Sequence, residues 1–286
     1  ICMTDLYSDI SFRTSTLITS SYSTSFSSAV RLLDRETQDA KYSIYGFVRL
    51  ADEIVDTFHD FDKENLLQKF ENDYYHALEK GISLNPVLNS FQLTVRKYNI
   101  SDDLIQAFLK SMKTDLIKQS HKTKDETDDY IYGSAEVVGL MCLKVFVRGD
   151  ELLYRELEEP ARKLGAAFQK VNFLRDIKDD LEILNRQYFH QSFENGFNDD
   201  VKAKIVDEVE SDFQSSLYGI EKLPGNVKTG VLTAYFYYRN LLKIIRRTPA
   251  KELMKKRVRV PDAVKMLLLI RALIVSKLGM PLISRN

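Results

Sequence analysis

The sequence predicts an all-α protein. Glycine and proline are scarce, at 11 and 6 of 286 residues, and good helix formers recur along the whole chain. Hydrophobic residues make up 44% of the chain, which is enough for a substantial core. Alternating patterns of useful strand length, internal repeats and low-complexity linkers are missing from the sequence. We therefore expect one helical domain over residues 1–286, in which residues 1–20 form a loosely ordered N-terminal segment.

Four segments carry the clearest helical signals, because their apolar residues recur every three to four positions. Ser101, followed by two aspartates, is typical of a helix start. Pro160 is also typical of a first helical position, since its missing N–H costs nothing there. We expect helices over residues 31–58, 101–116, 160–184 and 230–247.

The formal net charge of zero hides an uneven distribution of charge. Residues 239–286 contain 13 Lys and Arg against only Glu252 and Asp262, so this segment carries +11 and the remainder of the chain −11. A basic terminal segment indicates an anionic partner: nucleic acid, lipid headgroups or a phosphorylated small molecule. Nucleic acid is the least favoured, because the segment contains no recognisable reading motif.

Cysteine and histidine patterns indicate neither a disulfide framework nor a zinc site. Cys2 and Cys142 lie far apart, and the four histidines are scattered. The first residues lack a basic start followed by an apolar run, so we expect no secretory signal and a cytoplasmic location. The most apolar stretch, Ala263–Ile283, contains three basic residues, which is too many for an ordinary membrane span.

Two interpretations of that apolar stretch stay open. Met266–Val275 is either a core helix with a solvated charged rim, or an apolar face that enters a membrane interface while basic side chains meet anionic headgroups. The second interpretation predicts peripheral contact with a membrane.

Aspartates spaced four apart lie on one helix face, with about 5–6 Å between side-chain roots, and can grip hydrated Mg²⁺. The spacing alone proves little, because solvated helix faces carry the same pattern. The sequence contains five such pairs: Asp5/Asp9, Asp52/Asp56, Asp56/Asp60, Asp125/Asp129 and Asp176/Asp180.

Two of the pairs are distinguished by their neighbours. Arg49 precedes Asp52 by one helical turn, and Arg175 lies directly before Asp176. Two acidic helix faces would repel each other without cations between them. Metal ions and a diphosphate would remove that repulsion.

Longer motifs around these pairs resemble the signature of the squalene and phytoene synthases. Leu164–Asp176, followed by Asp180 and by Arg186-Gln187-Tyr188-Phe189, carries the strongest match. Ser23–Ser27, Tyr45–Asp56 and Tyr130–Gly139 match in the same order, so the resemblance spans roughly residues 21–238. Within the family, the sequence is most similar to the bacterial phytoene synthases of carotenoid biosynthesis.

The resemblance implies an isoprenoid-synthase helical bundle around a central cavity. It implies that two geranylgeranyl diphosphates are condensed head to head, through a cyclopropyl diphosphate, to phytoene with release of diphosphate. It also implies a need for Mg²⁺, for which Mn²⁺ can substitute, and no NADPH, because proton loss ends the phytoene reaction. Three alternatives remain: a squalene or dehydrosqualene synthase that uses farnesyl diphosphate, a single-substrate terpene cyclase, and a non-catalytic binding or assembly factor of the same fold.

The resemblance also assigns roles to individual residues. The four aspartates of the two distinguished pairs are the expected catalytic metal ligands: Asp52, Asp56, Asp176 and Asp180. Two tyrosines, Tyr130 and Tyr132, are expected to line the cavity and face a carbocation. The expected substrate-binding residues are Ser23, Ser25, Phe26, Tyr45, Arg49, Gln169, Asn172, Arg175, Arg186 and Tyr237.

The sequence departs from the family pattern at two positions. Glu53 stands where many relatives have a third aspartate, and it preserves the chemistry of a metal ligand. Glu136 stands where many have glycine, and a carboxylate at that position leaves the cavity wall and the preference for chain length open. Because residues 239–286 follow the family only loosely, Arg257 and Arg259 receive no site role.

Overall fold

The structure is a computed structural model, and it describes residues 3–22, 30, 32–117, 120–121, 123–182, 188–189 and 196–278. Every regular element within these residues is helical, which confirms the all-α prediction. In chain order, the α-helices are α1 (Met3–Tyr22), α2 (Arg35–Asp56), α3 (Lys63–Lys80), α4 (Pro86–Tyr98), α5 (Asp102–Ile117), α6 (Lys124–Ile131), α7 (Val137–Val147), α8 (Glu151–Glu182), α9 (Asp199–Lys222), α10 (Gly225–Arg247), α11 (Ala250–Leu253) and α12 (Asp262–Leu278). A π-helical turn, Tyr132–Glu136, connects α6 with α7.

Helix boundaries follow local sequence signals. The carboxylate of Asp34 accepts a hydrogen bond from the Thr37 amide at 3.1 Å and caps the start of α2. Asn85 caps α4 in the same way, with Pro86 at the first helical position. Gly81 ends α3 with a φ of 77°, a left-handed conformation that glycine adopts without steric cost.

Within the N-terminal segment, residues Met3–Tyr22 form helix α1. Helix α1 packs against α2 and α4 through small polar residues rather than through an apolar stripe. The Ser15 and Ser90 hydroxyls lie 2.8 Å apart, and the Asn89 amide donates to the Ser11 hydroxyl at 3.0 Å. Because the buried face of α1 is polar, hydrophobic periodicity gave no sign that this helix packs.

Helix α8 begins nine residues before Pro160, so the prediction that Pro160 opens this helix is wrong. Proline inside a helix normally removes a backbone hydrogen bond and clashes with the preceding turn. The structure keeps Pro160 inside the helix and packs it against Gly219 of α9, where an added Cβ would lie 2.5 Å from the proline Cβ. Glycine at this position therefore permits the close approach of α8 and α9.

Two apolar clusters form the core. The first joins α2, α4, α5 and α7 around Phe47, whose ring stacks on Phe91 with centroids 4.0 Å apart. The second joins α8, α9, α10 and α12 around the buried ring of Phe213. Residues of both clusters line the cavity described below.

One described helical stretch, Lys124–Val147, is long and apolar enough to cross a membrane by length and composition. In the fold, 72% of its most apolar window is buried inside the protein. The stretch comprises α6, the π-helical turn and α7, which pack against α5 and α8. Burial to this extent is typical of a helix in the protein core.

Candidate active site

A cavity of about 1460 Å³ opens between the two core clusters. Its wall is built by residues from α1, α2, α5, α7, α8, α9, α10 and α12. Sites for a single drug-sized ligand span roughly 300–1,000 Å³. The cavity therefore has the capacity for more than one such ligand.

The structure brings two of the five aspartate pairs into this cavity. Asp52 and Asp56 reach it from α2, and Asp176 and Asp180 reach it from α8. The remaining aspartates of the five pairs do not line it; Asp60, for example, lies beyond the end of α2. Neighbouring arginines were therefore the feature that separated these two pairs from the others.

The four carboxylates fit Mg²⁺ by their chemistry. Mg²⁺ prefers oxygen ligands, keeps several waters and usually binds to one or two carboxylates together with substrate phosphates. Among the described residues, no group of three or more metal-ligating side chains is gathered closely enough to hold an ion alone. Two pairs of carboxylates that line one cavity suit ions that also use phosphate oxygens. Their role as metal ligands stays a prediction.

Arg49 is held beside the first acidic pair by two neighbours. Its Nη2 lies 2.6 Å from Oε2 of Glu53, and its guanidinium lies 4.1 Å from the centre of the Tyr22 ring. Burial raises the pKa of Glu53, but hydrogen bonds from Arg49, Thr57 and Tyr22 and the charge of Arg49 outweigh it, so the pKa of this carboxyl is lowered.

Glu53 itself is not among the residues that line the cavity. It orients Arg49 instead. The Nε of Arg49 is buried and has no hydrogen-bond partner among the described residues. A buried donor without an acceptor is costly, and an anionic ligand in the cavity would supply that acceptor.

Two arginines contact Asp176 of the second acidic pair. Arg175 approaches Asp176 through Nε at 2.9 Å and Nη2 at 2.5 Å, and Arg257 approaches the same carboxylate through Nε at 2.7 Å. Burial lowers the pKa of Arg175, but the hydrogen bond and charge of Asp176 outweigh it and raise the pKa. Arg175 therefore remains a cation inside the site.

Arg257 and Arg259 line the cavity although the sequence gave them no role. The segment between α11 and α12 alternates, since Val258 and Val260 are buried while Arg257 and Arg259 are exposed. The two valines anchor the segment in the second core cluster and turn the arginines away from it. The alternation of valine and arginine is visible in the sequence, but only the fold shows that Arg257 lies beside Asp176.

Aromatic side chains form part of the wall. Tyr130 donates a hydrogen bond from its hydroxyl to Asp115 at 2.7 Å, and burial raises the pKa of Tyr130 well above its usual range. Phe168 stacks on Tyr238 with centroids 4.2 Å apart, and the Tyr238 hydroxyl donates to Asn172 at 3.2 Å. Other expected site residues that line the cavity are Tyr45, Gln169 and Tyr237.

Tyr132 is not among the residues that line the cavity, and its expected role at a carbocation stays a prediction. Residues two apart on a helix point to nearly opposite sides, so Tyr130 and Tyr132 do not share a face. Tyr132 lies under the Arg162 guanidinium, 5.2 Å from its carbon. Arg162 also pairs with Glu136 at 2.7 Å.

Glu136 therefore faces Arg162 and is not among the residues that line the cavity. Burial raises the pKa of Glu136 although Arg162 opposes the shift. Four further residues with an expected binding role, Ser23, Ser25, Phe26 and Arg186, lie outside the described residues.

A buried lysine also lines the cavity, and the sequence gave no sign of it. Lys41 lies on the same face of α2 as Tyr45 and Asp52, 8% exposed, with its Nζ 5.7 Å from the centre of the Phe146 ring. Burial lowers the pKa of Lys41 to about 8, although the neighbouring Cys142 thiol opposes the shift. Lys41 thus brings a cationic group into the cavity three helical turns before Asp52.

Comparison with known proteins agrees with the motifs. The family model described as squalene/phytoene synthase matches residues 19–263. A phytoene synthase of Pseudescherichia vulneris is 27% identical over 244 residues, 77% of each chain. A 4,4'-diapophytoene synthase of Staphylococcus haemolyticus is 25% identical over 198 residues, 69% of this chain and 67% of that one. The crystal structure of a dehydrosqualene synthase in complex with ligand superimposes with a TM-score of 0.81 at 20% identity, over 94% of this chain and 98% of that one.

The helical fold and the acidic, arginine-lined cavity define a synthase that acts on prenyl diphosphates. The chain belongs to the squalene/phytoene synthase family, in which prenyl diphosphates are condensed head to head.

Proposed function

We propose that the protein condenses two geranylgeranyl diphosphates head to head into phytoene, with Mg²⁺ and without a nicotinamide. The observation that carries the proposal is the convergence of two carboxylate pairs and four arginines on one large cavity: Arg49, Arg175, Arg257 and Arg259. Carboxylates and guanidinium groups together suit the binding of diphosphates in the presence of divalent cations.

The distribution of polarity along α2 supports a prenyl ligand. Arg49, Asp52 and Asp56 provide the charged end of its cavity face, while Tyr45 and Val48 continue that face toward apolar Phe146. A diphosphate would bind at the charged end, and its hydrocarbon tail would extend along the apolar part. This arrangement matches an amphiphilic substrate better than a small polar one.

Departure of diphosphate requires that its negative charge be stabilised as the C–O bond breaks. Bound Mg²⁺ would supply Lewis-acid neutralisation of that charge. Arg49 and Arg175 would hold diphosphate oxygens, and the buried Nε of Arg49 provides a donor for one of them. Aromatic faces such as those of Tyr130 and Phe168 would shield a carbocation from water without reacting with it.

Incubation with geranylgeranyl diphosphate and Mg²⁺, followed by mass spectrometry of the extracted hydrocarbon, tests the proposal. We expect a C40 hydrocarbon without added nicotinamide. Omission of the metal, or Asp176→Asn, should abolish the product. A product that forms only when NADPH is present would contradict the phytoene assignment.

A second candidate is the condensation of two farnesyl diphosphates, and the position of Lys41 favours it. Lys41 precedes Asp52 by three helical turns, which places their backbones about 16 Å apart along the axis. An extended C15 tail spans roughly 14 Å and a C20 tail roughly 19 Å, at about 1.2 Å per backbone bond. The C15 tail would end before the Lys41 amine, whereas the end of the C20 tail would lie against it. Contact between a buried amine and a hydrocarbon is unfavourable, so Lys41 disfavours the C20 substrate.

Competition between the two substrates in one reaction separates these candidates. If Lys41 limits the tail, Lys41→Met should raise kcat/KM for the C20 diphosphate relative to the C15 diphosphate. An unchanged ratio would remove the argument for farnesyl diphosphate.

A further inference from the structure

The outward face of α12 carries an apolar stripe that the fold leaves uncovered. Its large side chains recur at helical spacing, and between 45% and 70% of each is exposed. Within α12 only Ala272 is buried. The α12 stripe consists of Met266, Leu267, Ile270, Ile274 and Leu278.

The structure therefore contradicts the interpretation of Met266–Val275 as a core helix. One side of α12 does pack on α10, where the Thr229 and Ser276 hydroxyls lie 2.7 Å apart and Val264 and Leu268 meet the second core cluster. The opposite side consists of exposed side chains, most of them large and apolar. Helix α12 thus has apolar side chains on two sides: one side is covered by the fold, and the other is exposed.

The same helix forms part of the cavity wall. Lys265, Met266, Leu268 and Leu269 line the cavity, and Met266 is also 59% exposed at the surface. The stripe therefore adjoins the opening of the cavity. A lipophilic molecule that leaves the cavity past Met266 would meet the apolar side chains of α12 first.

The charges around the stripe are almost entirely positive. Arg271 and Lys277 lie on the exposed face, and no acidic residue occurs between positions 263 and 278. Lys255 and Lys256, just before the cavity-lining arginines, are also exposed, and both lie within 4 Å of the single carboxylate of Glu252. Asp262, at the start of α12, is neutralised by Lys265 at 2.8 Å. Apolar side chains flanked by cations are suited to the interface of an anionic bilayer.

We infer that the α12 stripe rests on the surface of an anionic lipid bilayer, with the opening of the cavity beside the lipid. A bilayer fits better than a protein partner or a second copy of the chain, because it matches both the apolar stripe and the positive surroundings. The binding does not depend on the proposed reaction. If the proposed function holds as well, hydrocarbon substrate and product pass between bilayer and cavity along α12.

The chain contains no tryptophan, so a single introduced tryptophan reports its own surroundings without background. Leu267→Trp places the probe in the stripe. Leu152→Trp is the matched control, because Leu152 is 82% exposed near the start of α8, about 36 Å along that helix from Asp176. With vesicles of phosphatidylglycerol and phosphatidylcholine at low salt, emission of the Leu267 probe should shift to the blue and be quenched by brominated lipid, whereas the control should not change.

Co-sedimentation with vesicles tests the stripe in the otherwise unaltered protein. Wild-type protein should sediment with anionic vesicles at low salt and be released at high salt, because the flanking charges are screened. Ile270→Glu with Ile274→Glu should reduce the bound fraction at least tenfold, whereas Leu152→Glu should not. These residues are exposed, so circular dichroism should show unchanged helicity.

Three outcomes would overturn the inference. The first is a failure of wild-type protein to bind anionic vesicles at low salt. The second is an equal spectral shift of the two tryptophan probes. The third is a concentration-dependent dimer that the double glutamate variant dissociates without any vesicle binding, since it would assign the stripe to a second copy. None of these outcomes depends on catalysis, so product analysis tests the proposed function separately.

Discussion

Arg257 contacts Asp176 through Nε at 2.7 Å and Nη2 at 3.3 Å, although 81 residues separate them in the chain. Arg175 contacts the same two carboxylate oxygens. Asp176 of the acidic pair on α8 is thus paired with two arginines, one of which comes from the basic C-terminal segment. Part of that segment lines the cavity, so its positive charges do not all lie on a solvated surface.

The first prediction concerns the carboxylate pairs. Asp52→Asn or Asp176→Asn should lower turnover by several orders of magnitude while helicity stays unchanged, because each change removes a proposed metal ligand that is not a core residue. Asp129→Asn is the matched control, since Asp129 also belongs to a pair spaced four apart but is exposed on α6. Diphosphate release measures the effect. Near-normal turnover of either variant, or an equal loss in the control, would refute the metal assignment.

The second prediction tests the arginine that the sequence left without a role. Arg257→Gln should lower kcat/KM about ten- to a hundredfold, because hydrogen bonds to charged groups contribute roughly 1.5–3 kcal/mol. Lys256→Gln, one residue earlier and exposed, should change it less than twofold. Steady-state kinetics with a prenyl diphosphate measures both. Equal losses of kcat/KM in the two variants would show that Arg257 acts only through the overall positive charge of the segment and not through its contact with Asp176.

The third prediction uses the two tyrosines of the family motif. Substitution of Tyr130, which lines the cavity and bonds to Asp115, should lower kcat. Tyr132→Leu should change kcat by less than threefold and lower Tm instead, because its ring packs under Arg162. Measurement of kcat and Tm for Tyr130→Phe and Tyr132→Leu shows whether each tyrosine contributes to the reaction or to stability. A large loss of kcat in the Tyr132 variant at unchanged Tm would show that the ring reaches the reaction.

The fourth prediction concerns stability and pH. Burial lowers the pKa of Lys41 from 10.5 to about 8, so between these values the unfolded chain binds more protons than the folded one. The wild-type protein is therefore destabilised by the full penalty of the buried charge below pH 8. As pH rises from about 8 to 10.5 this penalty disappears, and the free energy of unfolding increases. Lys41→Met should stabilise the protein by about 3 kcal/mol at pH 7, and this advantage should shrink through that window.

Urea unfolding of both proteins between pH 7 and 10.5 measures the difference. Lys110→Met, an exposed lysine on α5, is the control and should change stability little at either end of the range. A Lys41 variant that is less stable than wild type at pH 7 would contradict the penalty. So would an advantage that does not depend on pH.

Features carried by local sequence were predictable. The helix over α2 follows from apolar periodicity, and the two acidic pairs follow from a spacing of four beside an arginine. The start of α5 follows from Ser101 and the aspartates after it. Each of these signals lies within a few residues of the element it defines.

Features that depend on tertiary packing were not predictable. Helix α1 packs through Ser11 and Ser15, and such small polar residues resemble a surface. Pro160 stays inside α8 and packs against Gly219, a residue 59 positions away. Arg257 reaches Asp176 only because the buried valines fix the segment beside α8. The opposite directions of Tyr130 and Tyr132, by contrast, follow from helix geometry and could have been inferred.

The most direct test of the central claim is to identify the hydrocarbon made from isotopically labelled geranylgeranyl diphosphate with Mg²⁺ and no nicotinamide. Head-to-head condensation predicts a C40 product that contains label from two substrate molecules, with two diphosphates released for each product. The same assay with farnesyl diphosphate reports the preference for chain length. Formation of only a C20 hydrocarbon from a single substrate, or no hydrocarbon from either diphosphate, would contradict the account.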